Sequence, residues 1–157
     1  MTNQEIRDYS LKISQSSKTG LIVIMYEMAV KYIDDGVLAL KSDNVNEYRT
    51  NIKRAKSVIN ELVSVLDMKY EISYQLRNIY VFMIKVLVRA DIRKETDELV
   101  RIREMLLELR KAFIEAGKND NSGAVMQNTQ QVYAGLTYSR TSLNENMYSD
   151  VNRGYKV

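Results

Sequence analysis

From Gly20 to Lys41 apolar residues recur every three or four positions, and Leu21, Met25, Met28, Tyr32 and Ala39 fall on one helical face. Ile22, Tyr26, Val30 and Ile33 widen that face until only Glu27, Lys31, Asp34 and Asp35 remain as a polar strip. So broad an apolar surface exceeds the stripe with which a surface helix meets one core. The pattern predicts a long helix beginning near Thr19, where Ser14, Ser16, Ser17 and Thr19 offer capping oxygens.

The stretch KSDNVNEY interrupts the pattern, with Asn44 and Glu47 spaced as a capping-box variant. A second helix follows, in which Val45, Tyr48, Ile52, Ala55, Ile59, Leu62 and Leu66 keep an unbroken three-four alternation. Such alternation is the seam of a bundle. After a short connection at Asp67 to Tyr70, Ile72, Leu76, Ile79, Met83, Val86 and Ala90 repeat it. Within this third helix IYVFMIKVLVRA is apolar nearly all round, which predicts the most enclosed helix of the set. Leu99, Ile102, Leu106, Leu109 and Phe113 mark a fourth helix ending near Gly117, with Lys111 and Lys118 at its negative end. Short connections make neighbours antiparallel, so the expected fold is an all-α, antiparallel four-helix bundle over residues 19–118.

The flanks read differently. Residues 1–18 are polar with isolated apolar positions, Ile6, Tyr9, Leu11 and Ile13, and are expected to be a flexible N-terminal segment. Residues 119–157 are rich in Asn, Ser, Thr and Gln and lack a sustained apolar period, which predicts a largely flexible tail. Val132, Tyr133, Leu136, Tyr138, Leu143 and Tyr148 within it are positions that could dock on the bundle.

Composition narrows the chemistry. The 157 residues include no Pro and only 6 Gly, which fits helices and removes the turns an all-β chain needs. Cys and His are both absent. With them go disulfides, thiol chemistry, most zinc sites and every triad built on an imidazole. No catalytic constellation is recognisable among Asp, Glu, Lys and Tyr, and no metal or other cofactor is expected. The formal charge of +3 is interspersed, as in RKETDELVRIREMLLELRK, and reads as a salt-bridged helix face rather than a nucleic-acid stripe. The opening MTNQEIRDYS has no basic-then-apolar signal, and the apolar run Ile79 to Ala90 is broken by Lys85 and Arg89. That run also falls short of the roughly 20 residues of a membrane span. A cytoplasmic protein without membrane insertion is expected.

Three segments in order carry a family resemblance. SSKTGLIVIMYEMAVKYI, through Ser17, Leu21, Met25, Tyr26, Ala29 and Ile33, resembles the first helix of the FliS-type flagellin export chaperones. SVLDM followed by LRNIYVFMIKVLVRADIRKE, through Leu76, Ile79, Tyr80, Phe82, Met83, Leu87, Ala90 and Asp91, resembles that family's Leu-Tyr-x-Tyr-Met stretch and following turn. LELRKAFIEAG resembles the closing Leu-Arg-x-Ala-Trp stretch, with Phe113 in the aromatic place, and Ile6 and Tyr9 stand where the family tends to carry an aromatic. The chain departs from the pattern at Lys18, in place of a capping Pro, at MKYE, in place of a Gly-rich helix start, and at Ile79, in place of Leu.

The resemblance implies binding of the carboxyl-terminal segment of flagellin, protection from premature polymerisation, and delivery to the flagellar export gate. An apolar groove that accepts an amphipathic client helix would serve this role. The expected flagellin-binding residues are Ile6 and Tyr9 at the N-terminus, Ile22, Tyr26, Val30 and Ile33 on the first long helix, and Tyr80, Val81 and Val88 on the third. Ile6 and Tyr9, or Tyr133 and Tyr138 of the tail, are further expected to lie over the groove until client arrives. The competing reading is a structural or signalling bundle that acts by self-association, in which the same apolar faces are core or dimer interface.

Overall fold

A computed structural model describes residues 1–119 and Gly123. The rest of the polar tail, with the docking positions expected there, lies outside the described residues. Among the described residues there are five α-helices and no strand: α1 Asn3–Gln15, α2 Lys18–Lys41, α3 Val45–Ser64, α4 Glu71–Arg93 and α5 Asp97–Gly117. The all-helical expectation holds, and the helix count is five rather than four.

The additional helix is α1, in the segment expected to be flexible. Its start is fixed by a capping box. The Thr2 hydroxyl accepts from the Glu5 amide at 3.2 Å, and the Thr2 amide donates to the Glu5 carboxylate at 2.7 Å. These bonds satisfy two donors that a helix start otherwise leaves open. No residue of α1 other than the preceding Met1 packs against the core, so capping and ion pairs hold this helix where burial does not. Ser17 then caps α2, accepting from the Gly20 amide at 3.1 Å. At the start of α3, Asn44 accepts from the Glu47 amide at 3.1 Å, while its side-chain amide donates to the Glu47 carboxylate.

α2 packs on α1, α3 and α5, and α4 packs on α3 and α5, so α2 to α5 close a ring of contacts. Cross-helix pairs give the directions. Arg110 meets Glu27 and Arg103 meets Asp34, so α5 runs against α2. Arg89 meets Glu98, and the Arg101 guanidinium lies over the Phe82 ring, so α5 runs against α4 as well. The polar strip of α2 is therefore an ion-pair face shared with α1 and α5.

The ring encloses Tyr26 and Ile33 of α2, Tyr48, Ile52, Ala55 and Ile59 of α3, Tyr80, Met83 and Leu87 of α4, and Leu99, Ile102 and Leu106 of α5. The most enclosed helix is α2, not α4 as the all-round apolarity of α4 predicted. Three neighbours cover α2, whereas α4 has two and leaves Ile72, Tyr74, Phe82, Val88 and Ile92 in water.

Candidate functional site

The nine residues expected to bind a client do not form one surface. Tyr26, Ile33 and Tyr80 are at most 1% exposed, and Val30 is buried beside them. Burial of the two tyrosines is possible because their hydroxyls hydrogen-bond each other across the core, which removes the cost of an unpaired buried phenol. Phe113 of α5 packs edge-on against the Tyr26 ring at 5.5 Å between centroids. Burial pushes both phenols above their ordinary range. These four side chains are core in this conformation.

The remaining five lie at separate places. Ile6 and Tyr9 are on α1, Ile6 in water and Tyr9 half-buried among Glu5, Asp8, Lys12 and Lys31. Ile22 is half-buried on the first turns of α2. Val81 is half-buried and Val88 exposed on α4, where Val88 and Leu87 meet Ile52, Lys53 and Lys56 of α3. Ile6 and Tyr9 thus accompany α2, and Val88 belongs to the α3–α4 side of the ring. Sequence periodicity cannot separate these groups, because it assigns faces to a helix without saying which neighbour covers them.

The structure instead leaves one apolar seam open, between α4 and α5. It is the least tightly packed side of the ring. A cavity of about 330 Å³ there is floored by Ile79, Met105 and Leu109 and rimmed by Arg101, Glu104 and Glu108. Ile72, seven residues before Ile79, falls on the same face of α4 one stretch further toward its start. Ile72 is 58% exposed, left uncovered by α5. Val65, Met68, Tyr70 and Tyr74, all exposed, continue the apolar character around the α3–α4 connection. This many uncovered large apolar side chains near one seam are uncommon on a protein surface without a partner.

The sequence contained a signal for this seam. α5 carries Met105 and Leu109 beside its core stripe of Leu99, Ile102 and Leu106, and α4 carries Ile72, Ile79 and Phe82 beside its own. Surplus apolar positions on two adjacent helices mark the side that a third element can cover.

Among the described residues, no group of three or more acidic side chains is placed to hold a metal ion, and no helix is long and apolar enough to cross a membrane. An open apolar seam edged by charges of both signs has the chemistry that an amphipathic helix complements.

Comparison with known proteins agrees with that character. The family profile of "Flagellar protein FliS" matches residues 1–120, well over half of the chain. This chain belongs to the FliS family. The flagellar secretion chaperone FliS of Bacillus subtilis (strain 168) is similar over 115 residues at 25% identity, which spans 71% of this chain and 86% of that relative. The matched residues take in the sequence of α1 as well as that of the ring.

Proposed function

We propose that this protein is a secretion chaperone that binds the carboxyl-terminal segment of flagellin in the cytoplasm. In this reading the client lies as an amphipathic helix along the α4–α5 seam, is kept from polymerising, and is delivered to the flagellar export gate. Helices α2 to α5 act as one antiparallel bundle over residues 19–118, with residues 1–18 and 119–157 as accessory segments. Family membership and the relative's name support the chaperone role, and the uncovered seam at Ile72, Ile79, Met105 and Leu109 carries the choice of surface.

The physics fits a releasable complex. Apolar contact along the seam drives association, while ordering of the client segment offsets part of the gain. Arg101, Glu104 and Glu108 on the rim set register and orientation more than affinity.

The test is calorimetric titration of the full chain with a flagellin carboxyl-terminal peptide. A one-to-one complex at micromolar concentration or tighter is expected, with a negative heat-capacity change from apolar burial. Ile72→Glu and Met105→Glu should each weaken it by about tenfold, the cost of a buried aliphatic contact replaced by a charge. If the chain ignores the peptide and only self-associates on size exclusion, the scaffold reading replaces this one.

A further inference from the structure

The seam is open at one end in particular. α4 begins and α5 finishes there, because the two helices run in opposite directions. At this end Gly117 closes α5 against Thr19 of α2, so tightly that a Cβ on Gly117 would lie 2.9 Å from the Thr19 Cγ2. The chain beyond Gly117 therefore departs at the end of the bundle where α4 begins. Forty residues remain, from Lys118 to Val157.

Those forty residues open with a stretch suited to an apolar floor. Residues 121–139 carry no charge at all, and they include Val125, Met126, Val132, Tyr133, Leu136 and Tyr138. Val132, Tyr133 and Leu136 are spaced so that one helical turn would present them together. Reach is ample. The fifteen residues from Lys118 to Val132 span up to about 45 Å when extended, whereas Leu109 lies only about 12 Å back along α5 from Gly117. A tether of this length holds the segment at an effective concentration of roughly millimolar near the seam, so even weak apolar contact keeps it there for much of the time.

We propose that the stretch around Val132 to Tyr138 docks in cis over the open end of the α4–α5 seam, as a built-in competitor of the client. The seam is then covered in the free protein and uncovered when a stronger ligand displaces the tail. The competition, though not the docking, rests on the function proposed above. The apparent affinity for client is reduced by the fraction of molecules in which the tail is docked, so a tail that no longer docks should tighten client binding by roughly tenfold if nine molecules in ten are closed.

The chain is free of Cys, so single pairs of cysteines report proximity directly. In the full chain, Ile72→Cys with Leu136→Cys should form an intramolecular disulfide at a rate independent of protein concentration. The control, Leu38→Cys with Leu136→Cys, places its first thiol at the far end of α2, on an exposed position, and should link at least tenfold more slowly. Equal rates for the two pairs, no link, or a link only between molecules overturns the proposal, and the last of these assigns the seam to a second copy.

Hydrogen exchange separates this proposal from the functional reading. Val132→Asp with Leu136→Asp should speed exchange at the start of α4 and the end of α5 and leave the α3 core unchanged. Unchanged protection there overturns tail docking, whether or not the flagellin peptide protects the same amides. If instead the tail variant releases the seam and the peptide fails to protect it, docking stands and the client assignment falls.

Discussion

The hydroxyls of Tyr26 and Tyr80 hydrogen-bond to each other between α2 and α4, helices at opposite corners of the ring. Neither hydroxyl has another side-chain or backbone partner among the hydrogen bonds of the described residues, so each satisfies the other. Tyr26→Phe should therefore cost about 1–3 kcal/mol, because the Tyr80 hydroxyl is left buried and unpaired. Tyr80→Phe should cost a similar amount. The double variant should cost less than the two single changes together, since no orphan remains. Denaturant unfolding of the four proteins measures the coupling. Strict additivity would mean that each phenol finds a replacement partner, such as water.

Alkaline stability follows from the same burial. Tyr48 donates its hydroxyl to the carbonyls of Ala90 at 2.8 Å and Glu95 at 3.0 Å, closing the end of α4. Burial, and after it the carboxylates of Asp91 and Glu95, push the Tyr48 phenol up to about 12. Burial raises Tyr26 and Tyr80 as well. Above the ordinary phenol value of about 10 the unfolded chain loses protons that the folded one keeps, so stability falls as pH rises. The contribution is whole below that value and is lost on the way to the folded-state values. Unfolding midpoints should drop between pH about 10 and 12, and Tyr48→Phe should lessen the drop while lowering stability at neutral pH.

α1 depends on charge to a degree no other helix does. Lys31 bridges Glu5 at 3.1 Å and Asp35 at 2.7 Å, and Lys12 reaches Glu27 at 3.8 Å. Lys31→Met keeps most of the stem and removes the bridge. Exchange of α1 amides should rise several-fold while α3 amides stay protected, and added salt should do the same to the natural chain. Acid acts through Glu5, whose carboxyl is held below its usual range first by the Thr2 amide and then by Lys31. A lowered carboxyl favours the fold above its ordinary value, so α1 should loosen as pH falls toward and below about 4. Exchange of α1 that is blind to salt, acid and Lys31→Met would mean that packing, not charge, holds the helix.

How much of this was legible depends on whether the cause was local. Ser17, Asn44 and the seam from Tyr48 to Leu62 act within a few residues, and the structure places them as the alternation predicts. α1 is harder to read, because its apolar residues are too scattered to suggest burial and only Thr2 and Glu5, at capping-box spacing, mark its start. Tyr26 and Tyr80 fall on apolar helix faces whose neighbour the sequence does not name, so periodicity alone leaves them open to core or client. Their partnership joins positions 54 apart, and no local pattern reveals it. The open seam is only partly legible in the sequence for a related reason: whether Ile72 and Ile79 are covered depends on how closely α5 packs on α4, which no local pattern fixes.

The approach of α2 to α3 supplies a last test, at Gly36. A Cβ on Gly36 would stand 3.1 Å from the Ile52 Cδ1 and 3.5 Å from the Asn51 Cβ. The absence of a side chain thus lets the helices meet closely around Tyr48, Ile52 and Ala55. Gly36→Ala brings two opposing effects, a gain in helix propensity of up to about 1 kcal/mol and a crowding cost at Ile52. Ile52→Val removes the crowding atom and alone should cost about 1 kcal/mol through the space it leaves. Together the two changes should be more stable than the sum of the single ones, because the new methyl occupies that space. Gly36→Leu allows no such accommodation and should cost about 2–3 kcal/mol. A Gly36→Leu protein as stable as the natural one would mean that α2 and α3 are free to separate at this crossing.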